Sequence, residues 1–177
     1  MESVIKIASY IADRYRMAFG ERIGEMKLHK LLYFVQRESI IQLGEPIFCE
    51  EIRAWKYGPV VPCVRSAYKY DQLHDLPSGT SIAKYQPLLD FVMQEYAPSG
   101  VWTLVSITHG QKSWKRARVG YSEHESSDVP MKLEDICEDA EDTKKRRTEV
   151  QTLKMFYKWL EDKESPLLEK LPYADFD

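Results

Sequence analysis

The stretch that decides the fold is Lys27-Leu28-His29-Lys30-Leu31-Leu32-Tyr33-Phe34, in which apolar residues recur at helical spacing. Together with Val35, its leucines form a stripe that predicts a buried helix over about residues 27–43. Gly44 follows directly and is typical of a helix end. A comparable stripe over residues 4–18 predicts a helix upstream, and we expect the two helices to pack together as a helical hairpin.

Downstream of this helix the apolar period changes from helical to alternating. Phe48, Ile52 and Ala54 lie at alternate positions, which is typical of one face of a short strand. The sequence therefore predicts a minor β-hairpin near residues 47–57. The segment Gly58-Pro59-Val60-Val61-Pro62 then interrupts regular structure because proline fixes its own φ and restricts the preceding residue. Its last proline is suited to the first position of a short helix.

The remaining apolar stripes predict further helices. Their expected positions are Leu88–Tyr96, a short helix with Leu104 and Ile107, Lys112–Arg118, and a long last helix over about residues 139–163. Thr108 and Gln111 match a capping box, in which the threonine hydroxyl would accept a hydrogen bond from the Gln111 amide. We expect the last helix to bury one seam, formed by Val150, Leu153, Tyr157 and Leu160.

These elements predict a mainly α fold, a single compact helical domain over residues 1–165. The acidic segment 166–177 is expected to be a mobile tail, and Pro77-Ser78-Gly79 a loop. No apolar run approaches the length of a membrane span, and the first residues lack the pattern of a signal peptide. The three cysteines are scattered and expected to be reduced. We therefore expect a cytoplasmic protein that does not bind membranes.

No constellation of residues predicts an enzyme, a cofactor site or a metal site. None of the four histidines has a second histidine or a cysteine at ligand spacing, and no phosphate-binding glycine loop is present. His109 is the strongest catalytic candidate, as a proton carrier at a helix start. The alternative, which we favour, is that His109 packs on an aromatic ring or satisfies local backbone.

Two other stretches leave alternatives open. In Arg53–Pro62, aromatic, cationic and proline residues are concentrated, which favours either a tightly packed turn with Trp55 in the core or a protein-binding hot spot. One basic cluster comprises Lys112, Lys115, Arg116 and Arg118, and another comprises residues 144–147. Both could contact phosphates, but a net charge of −3 and neighbouring acids make nucleic acid the less favoured partner.

In their order along the chain, three blocks resemble the Panacea domain of SocA-like antitoxins and GepA-like phage-associated proteins. Residues 27–34 match the pattern Lys-Leu-x-Lys-Leu-Leu-Tyr, and residues 48–62 match Phe, an acidic pair, Ala-Trp-x-x-Gly-Pro-Val and a later proline. The third block, residues 104–118, resembles Leu-Ser-x-x-Thr-His followed by a tryptophan. Ser113 departs from the pattern, because the family often has proline directly before this tryptophan. The family-like blocks lie within about residues 5–120.

The resemblance implies an antitoxin of a bacterial or phage toxin–antitoxin system, which neutralises a toxin by direct protein binding or delivers it to a cellular protease. The alternative is a DNA-binding regulator of its own operon. We predict a partner-binding site formed by Lys56, Tyr57, Lys27 and Lys30. The residues predicted to form the structural motif are Leu28, Leu31, Tyr33, Trp55, Gly58, Pro59, Pro62, Thr108, His109 and Trp114.

Overall fold

The computed structural model describes residues 1–74 and 83–168, with side chains described as far as residue 162. The described elements, in chain order, are helices α1 (Val4–Phe19) and α2 (Glu25–Leu43), strands β1 (Arg53–Trp55) and β2 (Gly58–Val60), and helices α3 (Pro62–Lys69), α4 (Gln86–Tyr96), α5 (Val101–His109), α6 (Lys112–Ala117) and α7 (Leu133–Leu168). The predicted mainly α fold is confirmed. No described helix is both long and apolar enough to cross a membrane.

Helix α2 is the centre of the structure. Every residue from Leu28 to Ser39 is buried, and α1, α3, α4, α5 and the β-hairpin all contact this helix. The leucine stripe predicted from the sequence is therefore only one of several buried faces. Polar side chains on the other faces need internal partners, because an unpaired buried polar group costs free energy.

Arg37 and Gln36 show how these partners are supplied. The Arg37 guanidinium donates to Tyr96 Oη at 2.7 Å and to Gln111 Oε1 at 3.2 Å, and it lies 3.4 Å from Glu38 Oε1. The Gln36 amide donates to the Phe48 carbonyl at 3.0 Å and accepts from the Ile47 amide at 3.1 Å. Both side chains thus connect α2 to segments that lie later in the sequence.

The β-hairpin lies slightly later in the chain than predicted. Its strands pair antiparallel, with Arg53 opposite Val60 and Trp55 opposite Gly58. Phe48 and Ile52 are buried, as the alternation indicated, but they are outside the strands. The physical reason is that the backbone around Phe48 is bonded by Gln36 and is not available for strand pairing.

The described chain divides into two compact units, residues 1–140 and a second that begins at Glu141. In the second unit α7 is the only described element. The predicted buried seam is wrong: Val150 is 50% exposed, Leu153 55% and Tyr157 62%. A lone helix has no neighbour in its own unit that could cover these side chains.

Three expectations are not tested by this structure. The predicted loop at Pro77-Ser78-Gly79 and most of the acidic tail, residues 169–177, lie outside the described residues. The boundary of a single domain at residue 165 also stays a prediction. Cys49, Cys63 and Cys137 form no disulfide bond within the described residues, and their redox state stays a prediction.

Candidate functional site

A groove of about 770 Å³ opens beside the hairpin, in the unit formed by residues 1–140. We call it the hairpin groove. The first half of α2, the hairpin turn, the start of α3 and the loop after α6 form its walls, with the following lining residues: Glu25, Met26, His29, Lys30, Trp55, Lys56, Tyr57, Val60, Arg65, Tyr121, Ser126, Ser127 and Asp128. Grooves of this size and mixed lining are common binding sites.

Lys30 lies at the base of the groove and is completely buried. Its Nζ donates to the Pro59 carbonyl at 3.0 Å. Burial lowers the pKa of Lys30 from its ordinary 10.5 to about 7, because removal from water penalises the charged ammonium. Lys30 thus fixes the hairpin to α2, and its ammonium reaches backbone instead of solvent.

Gly58 makes this approach possible. It has φ of +100°, a region that L side chains rarely adopt. A Cβ atom at Gly58 would lie 2.8 Å from Lys30 Nζ and 2.8 Å from Thr108 Oγ1. Lys30, predicted to bind a partner, therefore meets the predicted motif residues Gly58 and Thr108 at one point, where α2, the hairpin and α5 converge.

Trp55 lines the groove and lies outside the core, so the alternative that placed Trp55 in the core of a tightly packed turn is wrong. Successive strand residues point to opposite faces, and Ala54 occupies the inward position with no exposed surface. The Trp55 indole donates to Asp128 Oδ1 at 2.8 Å, and the Arg65 guanidinium lies 4.9 Å from the ring centroid. Asp128 and Arg65 therefore both contact the Trp55 ring, which lines the groove.

Trp114 does belong to the core, with 8% of its surface exposed, and supports the hairpin from behind. Its indole donates to the Trp55 carbonyl at 3.0 Å, and the His109 ring stacks on it at 3.8 Å. This stacking matches the structural role that we favoured for His109. Burial, and next the charges of Lys30 and Arg118, lower the pKa of His109. At neutral pH the stack therefore carries a largely uncharged imidazole.

The predicted partner-binding residues separate into two groups. Lys56 and Tyr57 stand at the rim of the groove, with Tyr57 48% exposed, and Lys30 is at its base. Lys27 is elsewhere: its Nζ donates to Tyr15 Oη at 3.2 Å and to the Ala97 carbonyl at 3.0 Å. The structure thus brings three of the four together. Their role in partner binding stays a prediction.

The remaining motif residues have structural positions. Leu28, Leu31 and Tyr33 are buried on α2, and Pro62 begins α3 as predicted. The capping box at Thr108 and Gln111 is wrong, since Thr108 belongs to α5 and its hydroxyl donates to the Val105 carbonyl.

Asp139, from α7, replaces the expected cap of α6. Its Oδ1 accepts from the Lys112 amide at 2.7 Å, and its Oδ2 accepts from the Ser113 amide at 3.2 Å and from Tyr33 Oη at 2.9 Å. Ser113 is the residue that departs from the family pattern, and a proline there would lack the amide hydrogen that Asp139 accepts. In this chain the carboxylate therefore stabilises the start of α6 and fixes Tyr33.

Several groove residues were not predicted, among them His29, Arg65, Tyr121 and Asp128. His29 stands within the decisive stretch, but its pattern predicted no role for this residue. Asp128 and Tyr121 come from a polar loop that long-range contacts turn into a wall of the groove. Buried Arg118 donates to Ser127 Oγ at 2.6 Å and to the Ser122 carbonyl at 2.7 Å, and Asp128 is bonded by the hairpin. No group of residues in the described ranges could hold a metal ion.

The basic cluster around α6 is largely occupied by internal partners. Arg116 forms a bidentate pair with Glu138, at 2.8 and 2.9 Å, and also contacts Asp135. Lys112 lies 3.7 Å from Glu138, and Arg118 is buried. Among the residues that the structure describes, only Lys115 of this cluster has neither an ion pair nor burial.

Comparison with known proteins gives one finding. Residues 28–115 match the model of a family described as Antitoxin SocA-like, Panacea domain. No curated protein and no solved structure matches the chain. The matched segment begins in α2, contains the hairpin, and ends in α6 just after Trp114. It confirms the resemblance carried by the three sequence blocks.

Proposed function

Because residues 28–115 form an antitoxin SocA-like Panacea domain, we propose that the protein is an antitoxin that neutralises a toxin by direct binding. It acts without catalysis, in the cytoplasm. The toxin is neutralised either by occlusion of its active surface or by delivery to a cellular protease.

The observation that carries the site of this function is the exposed hairpin turn beside the hairpin groove. Tyr57 is 48% exposed there, and its ring meets Trp102, itself 63% exposed, edge to face at 6.0 Å. Lys56 Nζ lies 5.2 Å from the centroid of the Tyr57 ring. Tyrosine and tryptophan are enriched at binding hot spots. Their fixed backbone also lowers the ordering cost of association.

The observations favour protein binding over binding to DNA. A helix that binds in a groove of DNA needs several unpaired cationic side chains. In this protein acidic residues of α7 already pair with the cationic residues of α6. Tight, promoter-selective binding that Lys115→Glu abolishes would overturn this preference.

The test is co-expression of the chain with each protein encoded by the neighbouring genes, scored for toxicity and rescue. We expect Lys56→Glu combined with Tyr57→Ala to remain folded and to lose both rescue and direct binding. The matched control is Lys69→Glu with Tyr70→Ala, a second exposed pair in which the lysine Nζ lies 5.6 Å from the tyrosine ring centroid.

Retained rescue and binding by the folded hairpin variant would place the interface elsewhere. Equal loss in both double variants would mean that a general change of charge, and not the hairpin, is responsible. A hairpin variant that still binds but no longer rescues would indicate that delivery to a protease has failed.

A further inference from the structure

The base of the hairpin groove contains a histidine whose protonation the geometry defines. His29 is only 2% exposed, and its Nδ1 accepts a hydrogen bond from the Val61 amide at 3.3 Å. Burial, and next the charges of Lys30 and Arg65, lower the pKa of His29 to about 3, so the ring is neutral at physiological pH. A neutral imidazole carries a hydrogen on only one of its two ring nitrogens. Since Nδ1 accepts, that hydrogen is on Nε2, which is therefore a donor.

This donor has no acceptor among the described residues. His29 Nε2 is buried without a hydrogen-bond partner. The nearest carboxylate oxygen, Glu25 Oε1, is 3.9 Å away, beyond hydrogen-bond distance, and the Arg65 guanidinium holds it at 3.0 Å. Buried donors without acceptors are rare in native proteins and call for an explanation, such as a ligand that completes them.

The charge of the groove indicates which acceptor would fit. Both lining acids are already paired, Glu25 with Arg65 and Asp128 with Arg53 at 3.0 Å. Lys56 has no ion pair within the described part of the chain, and Lys30 lies at the base. Lys56 therefore leaves a positive charge at the rim of the groove, which favours an anionic acceptor.

The apolar walls of the groove indicate which kind of residue would lie next to the anionic acceptor. Met26, Trp55, Tyr57 and Tyr121 all line the groove and give it a mainly apolar surface. A volume of about 770 Å³ accommodates more than one side chain. A carboxylate alone would leave these walls uncovered, whereas a carboxylate next to an aromatic side chain would cover them.

We propose that the hairpin groove receives an acidic side chain of the partner protein, flanked by an aromatic residue, and that its carboxylate accepts the hydrogen bond from His29 Nε2. The proposal rests on the proposed antitoxin function, since the toxin is the partner that would supply the segment. It assigns to His29 a direct role in recognition.

The test uses two capped dipeptides as probes, N-acetyl-Trp-Glu-amide and N-acetyl-Trp-Lys-amide, titrated into the full chain and followed by NMR. We expect the acidic peptide to bind about tenfold or more tightly, because a hydrogen bond to a charged acceptor and the positive charge both favour it. Its binding should shift the His29 imidazole and Trp55 indole signals. Equal affinity for the two peptides, or no binding of either, would overturn the proposal.

Two variants of His29 separate its donor from its structural role. His29→Asn can keep an acceptor for the Val61 amide but removes the donor at the position of Nε2, whereas His29→Gln places an amide donor near that position. We expect about tenfold weaker binding of the acidic peptide by the first variant and less than about twofold by the second. Equal effects of the two substitutions, with thermal midpoints showing both folded, would contradict the assigned role.

These titrations contain no toxin, so their result is independent of the rescue assay. Selective binding of the acidic peptide without rescue would contradict the proposed antitoxin function but support the proposed binding of an acidic side chain in the hairpin groove. Rescue without selective binding would support the antitoxin function and contradict the proposed binding of an acidic side chain in the groove.

Discussion

Replacing Lys30 by methionine should change the dependence of stability on pH. The side chain is fully buried, and its pKa falls from 10.5 to about 7 on folding. Between these two values the unfolded chain binds one proton more than the folded chain, so the free energy of unfolding rises with pH. That stability is lost as the pH falls towards 7, and below 7 both states are protonated and the effect is constant.

The size of the effect follows from the same two pKa values. Each pH unit inside the window contributes about 1.36 kcal/mol. From about pH 6 to about pH 9, wild type should gain about 3 kcal/mol relative to Lys30→Met. The difference between the two proteins is the quantity to read, because His29 also titrates on unfolding, with a folded pKa of about 3, and it is present in both.

The assay is urea unfolding of both proteins at several pH values over this range. NMR titration of the Lys30 side-chain amine gives a second, direct measurement of its pKa. Parallel stability curves, with a difference constant to within about 0.5 kcal/mol, would refute the reasoning, because they would mean that the Lys30 ammonium keeps its ordinary pKa in the fold.

Two other substitutions test the contacts that hold the hairpin and α6. Gly58→Ala should lower the free energy of unfolding by about 3 kcal/mol, since it combines strained φ with a close approach to two side chains. Gly44→Ala, at φ +73° with open space around the added Cβ, should cost about 1 kcal/mol. Equal costs of the two substitutions would contradict the close approach at Gly58. Asp139→Ala should cost about 2–3 kcal/mol in urea unfolding, because two amides of α6 and one buried hydroxyl lose their acceptor. Asp135→Ala, which removes an ion pair to the half-exposed Arg116, should cost at most about 1 kcal/mol. A larger loss there than at Asp139 would contradict the assignment of the cap.

The helical framework could be predicted because it depends on local pattern. In α1 and α2 the apolar stripe and a terminal glycine act on the same few turns. Helix α1 ends directly before Gly20, and α2 ends directly before Gly44, as expected for the latter. The β-hairpin is less well defined by its own sequence. Three residues per strand give too short an alternation to fix its limits, and Gln36, more than ten residues upstream, decides which backbone is free to pair.

The base of the candidate site could not be predicted, for a different reason. Lysine is almost never fully buried, so the sequence pattern alone predicts an exposed position for Lys30. Its burial depends on a carbonyl of the hairpin 29 positions away in the chain. The cap of α6 is similar: a local capping box was available at Thr108, but a carboxylate 27 positions from Lys112 occupies that role. Long-range polar contacts of this kind leave no periodic signal.

The contact between Tyr33 and Asp139 has a consequence for how the chain is made. The two residues are separated by 106 positions, and Tyr33 lies on the helix around which the rest of the unit packs. During synthesis α2 emerges early, yet the acceptor for its tyrosine is among the last residues of that unit to be translated. A nascent chain that ends before Asp139 therefore holds its central helix without one of its final hydrogen bonds. Ribosomes that stall before Asp139 is translated would therefore hold a chain in which Tyr33 lacks this acceptor.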